Sequence, residues 1–168
     1  MAKTTNKATG AKARGASGDA SDATALLEAD HREVEALFEA YDSAGSDTDK
    51  KAVADSICLA LKVHAQIEEE LFYPAARDAT GDTDLLDEAT VEHQGAKTLV
   101  AQIEASAPGQ PLYDAQIRVL EEQVRHHVGE EEGELFPQAR ESGLDLAALG
   151  ARLAARKAEL LALLAPAS

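Results

Sequence analysis

The sequence is poor in the residues on which disulfide-rich, all-β and membrane-spanning proteins depend. Its 168 residues include 1 Cys, which excludes an intrachain disulfide framework and a cysteine-based metal site. Trp is absent, aromatic residues make up 4%, and the 5 Pro are scattered, all of which argues against a β-sandwich. No apolar run approaches the roughly 20 residues of a membrane span. The 45% of hydrophobic residues suffices for the core of one domain.

Basic residues are also scarce, with 16 Lys and Arg against 31 Asp and Glu, a net charge of −15. Binding to nucleic acid or to an anionic membrane requires a basic face, so we expect neither as a partner. Residues 1–18 contain no acidic residue and few apolar ones, and we predict a disordered basic tail over residues 1–20. The tail lacks the apolar region of a secretory signal, so we expect a cytoplasmic location.

Apolar side chains recur every three or four residues, which is typical of amphipathic helices. Short Gly-, Ser- and Pro-containing segments separate them, so consecutive helices should pack antiparallel. The predicted fold class is all-α, an up-down-up-down four-helix bundle over residues 21–142. Its helices are expected near residues 22–43, 47–78, 83–106 and 111–141. A Leu- and Ala-rich helix within residues 143–168 should pack on the bundle or form a dimer contact.

Local signals refine the helix ends. Ser21, Ser46 and Asp82 are predicted N-caps, because their side chains can accept from the free backbone N–H groups of a first turn. Pro74 and Pro137 are expected to kink or end their helices.

The chain contains an internal repeat. Residues 64–77 and 127–140 share a His, a Glu four residues later, a Pro ten later and an Arg thirteen later, at an offset of 63. The Leu-Phe pair in this segment slips by one residue. His31 and His93 match at an offset of 62, so four of the five His residues occupy equivalent positions. The chain therefore consists of two helical hairpins built on the same plan.

The repeated His and Glu residues predict a metal site. A His and a Glu at positions i and i+4 lie on one helix face, and the flanking apolar residues place that face in the core. Buried carboxylates require a counter-charge, and the core offers no matching number of Lys or Arg. Imidazole and carboxylate together suit iron, and zinc or manganese less well. The predicted metal ligands are His31, His64, Glu68, His93, His127 and Glu131.

This pattern, with Leu-Phe and Pro after each motif Glu, resembles the hemerythrin-like proteins (the HHE cation-binding domain) over about residues 22–141. The resemblance implies a non-haem centre of two iron ions with a bridging oxo or hydroxo ligand. It implies bridging carboxylates from Glu68 and Glu131, and imidazole pairs from His31 with His64 and from His93 with His127.

The sequence departs from the oxygen-carrying members of that family, which have a fifth His where this chain has Lys97. Four imidazoles and two bridging carboxylates leave about two positions open on two octahedral irons that also share an oxygen. We therefore expect the centre to bind or react with a small oxidant, namely O2, peroxide or nitric oxide. The alternative is a module that binds or senses oxygen or iron without turnover. The sequence identifies no catalytic residue and leaves both monomer and homodimer open.

The remaining polar residues near the motifs have structural interpretations. Glu35 and Lys97, each four residues after a ligand His, are expected either to pair with each other across the bundle or to face solvent. Tyr41 and Tyr73 are expected either to fill the core, which is the favoured interpretation, or to approach the site, and Cys58 is expected to pack as a hydrophobe. We expect His126 on the flank of its helix. The acidic residues around the motifs are expected to form a solvated face: Glu69, Glu70, Glu130, Glu132 and Glu134.

Overall fold

The computed structural model describes residues 22–165, which form seven α-helices and two π-turns. The predicted tail over residues 1–20 and the predicted N-cap Ser21 lie outside the described residues. The elements are α1 (Ala23–Asp42), α2 (Asp47–Ile67), a first π-turn (Glu68–Phe72), α3 (Tyr73–Thr80), α4 (Asp84–Glu104), α5 (Tyr113–Glu130), a second π-turn (Glu131–Leu135), α6 (Phe136–Glu141) and α7 (Leu146–Leu164).

The predicted all-α four-helix bundle with an additional C-terminal helix is confirmed. Helix α2 continues through the first π-turn into α3, and α5 continues through the second into α6, so each pair forms one long rod. These two rods and the helices α1 and α4 are the four members of the bundle.

The two prolines do not end their rods, which continue to Thr80 and Glu141. In each π-turn a backbone N–H reaches five residues back, from Tyr73 to Glu68 and from Phe136 to Glu131. Each proline follows in the first turn of the next helix, where the N–H that proline lacks is not needed. Each π-turn therefore contains one residue more than an α-helical turn, and it allows the rod to continue through the proline that follows.

The observed N-caps agree with the prediction in part. Ser46 caps α2, and its Oγ accepts from the backbone N–H of Asp49 at 3.1 Å. Asp22 caps α1. The prediction for Asp82 was wrong by one residue, because Thr83 is the N-cap of α4 and Asp82 accepts from the Asp84 N–H in the preceding loop at 3.2 Å.

The core consists of two apolar clusters, one on each side of the His and Glu level. Along α1, Leu27 belongs to the first cluster and Val34 to the second, with His31 between them. Cys58 is 1% exposed within the second cluster, which confirms that it packs as a hydrophobe. The predicted His and Glu ligands thus lie in one layer between two apolar regions.

Helix α7 packs against α1 and α2. Leu153 and Leu160 are buried in the first cluster, and full burial of a Leu side chain stabilises the fold by about 1.5–3 kcal/mol. Lys157 on α7 forms an ion pair with Asp30 on α1 at 2.5 Å. This helix therefore covers one side of the first hairpin.

Over the part of the chain that the structure describes, none of the helices combines the length and hydrophobicity needed to cross a bilayer.

Candidate metal centre

The structure brings the six predicted ligand side chains together in one buried layer. The four imidazoles are 4–7% exposed, and the carboxylates of Glu68 and Glu131 are 0% and 2% exposed. Each bundle rod contributes a His and a Glu from the junction of its α-helix with its π-turn, and α1 and α4 contribute one His each.

The imidazoles form two pairs. The Nε2 atoms of His31 and His64 lie 3.1 Å apart, and those of His93 and His127 also lie 3.1 Å apart. These are the two pairs that the sequence resemblance implies.

Each carboxylate lies between the two imidazole pairs. The Oε2 atom of Glu68 is 3.2 Å from His64 Nε2 and 3.3 Å from His93 Nε2. The Oε2 atom of Glu131 is 3.2 Å from His31 Nε2 and 3.4 Å from His127 Nε2. Both carboxylates are therefore in position to be shared by ions held at the two pairs.

Four further carboxylates, here called the outer carboxylates, accept from the opposite nitrogen of each ring, Nδ1. The distances are 3.4 Å from His64 to Asp30, 3.0 Å from His93 to Glu69, 2.7 Å from His127 to Glu92 and 2.8 Å from His31 to Glu132. A ring whose Nδ1 carries the proton directs the lone pair of Nε2 inward. In the neutral form of each ring, the outer carboxylates therefore favour the tautomer whose Nε2 faces the centre as an acceptor.

The interpretation of Glu69 and Glu132 as a solvated face was wrong, because each reaches a ring on the other hairpin. The sequence signal for Glu69 and Glu132 was in the internal repeat. Asp30 and Glu92 match at the offset of 62, and Glu69 and Glu132 at the offset of 63. The pattern that identifies them is a carboxylate beside His31 and Glu68 in the first half, and beside His93 and Glu131 in the second.

The centre contains more acceptors than donors. The buried Glu68 Oε1 and Glu131 Oε2 have no hydrogen-bond partner among the described residues. Burial lowers the pKa of His127, but Glu131 and Glu92 outweigh it and hold that pKa well above the ordinary value. Burial raises the pKa of Glu131, but His127 and His31 hold it well below the ordinary value. The layer thus attracts positive charge.

Tyr73 is part of this layer, so of its two expected roles the structure shows the approach to the site rather than core filling alone. Its hydroxyl donates to Glu131 Oε1 at 2.8 Å, and its ring stacks on His93 with centroids 5.4 Å apart. Burial, together with Glu68 and Glu131, raises the pKa of Tyr73 well above its usual value, so the phenol stays protonated. The matching residue of the other hairpin is Phe136, which stacks on His31 at 5.8 Å. The two halves of the centre therefore differ by one hydroxyl.

Of the two expectations for Lys97 and Glu35, pairing with each other was wrong and exposure to solvent is confirmed, since their side chains are 46% and 57% exposed. The ammonium of Lys97 lies 2.6 Å from Glu69 Oε2, and Glu35 pairs instead with Arg32 on its own helix at 3.1 Å. Glu69 lies on the neighbouring rod and faces Lys97 directly. The charge of Lys97 therefore neutralises the carboxylate that orients His93.

A cavity of about 40 Å³ adjoins all four imidazoles. About 10–15 Å³ accommodates one water, so this space admits a molecule of two or three heavy atoms. Its wall is largely apolar and includes the aliphatic side chains of Val34, Leu61 and Val124, and Lys62 and Lys97 also line it. The centre thus has a small apolar chamber on its imidazole side.

Comparisons with known proteins were made for sequence and for fold. The hemerythrin HHE cation-binding domain family matches residues 22–139. A DNA nickase from Nostoc sp. is 31% identical over 115 residues, which are 68% of this chain, and the chain spans only 32% of that relative's length. A crystal structure of a hemerythrin HHE cation-binding domain-containing protein from Mycobacterium kansasii has a TM-score of 0.73 at 24% identity, covering 85% of this chain and 89% of that one.

The structural likeness agrees with the helical bundle described above, and the family match spans more than half of the chain. The matched segment includes all six buried His and Glu residues of the layer. The chain therefore belongs to the hemerythrin HHE cation-binding domain family.

Proposed function

We propose that the buried layer holds two iron ions and that a small oxidant, namely O2, peroxide or nitric oxide, binds or reacts there. One observation carries the proposal. Four imidazoles and two carboxylates converge in a buried layer, and no Lys or Arg of the described residues is buried with them. Such an arrangement of acceptors is stable only around cations.

The donor set fits two ions. Ligand atoms of His31, His64, Glu68 and Glu131 lie within 4.8 Å of one another, and so do those of Glu68, His93 and His127. The two groups share Glu68. Imidazole combined with carboxylate is a donor set that suits iron. The residues that would hold the ions are the six that the sequence predicted.

Bound iron supplies the redox chemistry, and the surrounding residues control access and charge. The outer carboxylates hold the four rings in the tautomer that binds metal. Tyr73 donates a hydrogen bond to Glu131 and so limits the negative charge on that carboxylate. The small, largely apolar chamber favours small ligands over larger ones. These features support a site for ligands of two or three heavy atoms.

The test is anaerobic loading with Fe²⁺, metal analysis after dialysis, and addition of peroxide, O2 or nitric oxide. We expect about two irons per chain and a change in the visible spectrum with at least one oxidant. Catalytic O2 evolution from peroxide would identify an enzyme, and a coloured adduct reversed by removing O2 would identify a carrier. The variant His93→Ala should lose iron at its half of the centre. A wild-type protein that retains no iron would overturn the proposal.

A second candidate is a sensing module without turnover. Asp30 links the ligand His64 to Lys157 on α7, at 3.4 Å and 2.5 Å respectively. Metal occupancy at His64 would thus act on the helix that covers the first hairpin. Iron-dependent protection of α7 amides from hydrogen exchange, without turnover of any oxidant, would favour this candidate.

The DNA-directed activity named for the Nostoc relative has no support in the charge of this chain. The net charge of −15 opposes contact with a phosphate backbone. We therefore propose small molecules, and neither nucleic acid nor a membrane, as the partners.

A further inference from the structure

The four outer carboxylates are not neutralised in the same way. Three of them contact a Lys or Arg as well as an imidazole. Asp30 contacts Lys157 at 2.5 Å, Glu69 contacts Lys97 at 2.6 Å, and Glu132 contacts Arg32 at 2.5 Å. Among residues 22–165, Glu92 has no Lys or Arg within ion-pair distance. Its second oxygen, Oε1, faces His126 at 3.4 Å.

His126 is also 3.2 Å from Oε1 of Glu130, one turn further along α5. Glu130 likewise has no Lys or Arg partner in the described part of the chain. Two carboxylates and one imidazole from α4 and α5 therefore meet at the surface, and among the described residues neither carboxylate pairs with a Lys or Arg.

We propose that Glu92, His126 and Glu130 form a third divalent-cation site, separate from the buried layer. Metal–ligand bonds of about 2.1 Å in tetrahedral geometry place ligand atoms about 3.4 Å apart. The observed separations of 3.2 and 3.4 Å match that spacing. The bound cation takes the place that Lys157, Lys97 and Arg32 occupy at the other three outer carboxylates.

The internal repeat shows that the fold does not require these ligands. At the offset of 63, His126 and Glu130 correspond to Val63 and Ile67, which are 1% and 0% exposed. Those two residues pack in the first apolar cluster together with residues of α7. His126 and Glu130 on α5 thus have no counterpart in the first hairpin, and they lie on a side of the bundle that α7 does not cover.

The donor set indicates the chemistry of the ion. One imidazole and two carboxylates suit a borderline divalent cation such as Zn²⁺ or Fe²⁺, with water completing the coordination. The His126 side chain is 65% exposed, so the ion exchanges with solvent and binds more weakly than in the buried layer. Glu92 also accepts from His127 Nδ1, so the same carboxylate connects the surface site to the buried one.

The test is a calorimetric titration of the full-length protein with Zn²⁺. The tightly held metal of the protein is measured first. We expect one additional, weaker equivalent of Zn²⁺. The variants His126→Ala and Glu130→Gln should weaken its binding at least about tenfold. Asp78→Asn removes one charge from an exposed position on α3 and should leave binding unchanged.

Glu92 itself is left intact, because its loss would also disturb His127. The tightly held metal should be the same in all variants, which separates this site from the buried centre. Equal Zn²⁺ uptake by wild type and His126→Ala would overturn the proposal and leave His126 as a protonated counter-ion only. Equal weakening in Asp78→Asn would also overturn it, because the acidic surface as a whole would then be responsible.

Discussion

Removal of the Tyr73 hydroxyl measures how strongly the buried layer depends on its one phenol donor. In Tyr73→Phe the ring still stacks on His93, so the change isolates the 2.8 Å hydrogen bond to Glu131. Glu131 is 2% exposed, so water cannot replace the lost donor. A hydrogen bond to a buried charged group contributes about 1.5–3 kcal/mol. We expect the free energy of unfolding of the metal-free protein to fall by about 2 kcal/mol.

Tyr41→Phe is the matched control. The hydroxyl of Tyr41 donates to Asp114 at 2.6 Å, but the Asp114 side chain is 48% exposed and also pairs with Lys50. Water replaces the hydroxyl there, so the same substitution should cost about 0.5 kcal/mol.

The assay is thermal unfolding of both metal-free variants, followed by circular dichroism. For a chain of this length about 1 kcal/mol corresponds to 2–4 °C, so Tyr73→Phe should lower Tm by about 6 °C and Tyr41→Phe by about 2 °C. A Tm loss in Tyr73→Phe no larger than in Tyr41→Phe would refute the reasoning that the hydroxyl compensates a buried charge.

Three further outcomes are expected. Removing tightly held metal with a chelator should lower Tm by about 8 °C for each ion lost, and so by about 16 °C for two, relative to protein in metal at a hundredfold excess over Kd. The measurement is calorimetry, and an unchanged Tm would contradict metal binding to the native state. Glu132→Gln should weaken metal affinity about 10–100-fold in chelator competition, because Glu132 orients His31, whereas Glu35→Gln should have no effect; equal affinities would exclude this role. The hydrogen bond from Arg156 lowers the pKa of Glu70 from 4.5 to about 2, so this interaction stabilises the fold above pH 4.5 and is lost as the pH falls toward 2. Arg156→Gln should therefore be less stable than wild type in urea at pH 6, with the difference narrowing at pH 3, and a constant difference would argue against the assignment.

Much of the fold and of the layer could be predicted because the signals are local. Apolar spacing of three and four residues decides that a segment is helical and which face is buried. The two His-x3-Glu motifs, together with His31 and His93, identify the six side chains at one level without reference to any neighbour. The slip of the Leu-Phe pair by one residue was a visible irregularity, but it did not reveal that both rods contain a π-turn.

The partners of polar side chains could not be predicted, because they depend on how the helices are rotated and how far apart they lie. Lys97 could reach either Glu35 or Glu69 by sequence spacing, and the packing of α4 against the first rod selected Glu69. The packing of the first rod against the second brought Tyr73 to Glu131, a contact between residues 58 positions apart.

The linear pattern was therefore sufficient for the helices, their order and the six side chains of the buried layer, since each of these follows from spacing within one helix. The folded packing was needed to assign the outer carboxylates, the phenol donor, the apolar chamber and the side of the bundle that α7 covers. Those features join atoms on different helices, and their distances arise only when the apolar faces of all the helices have come together.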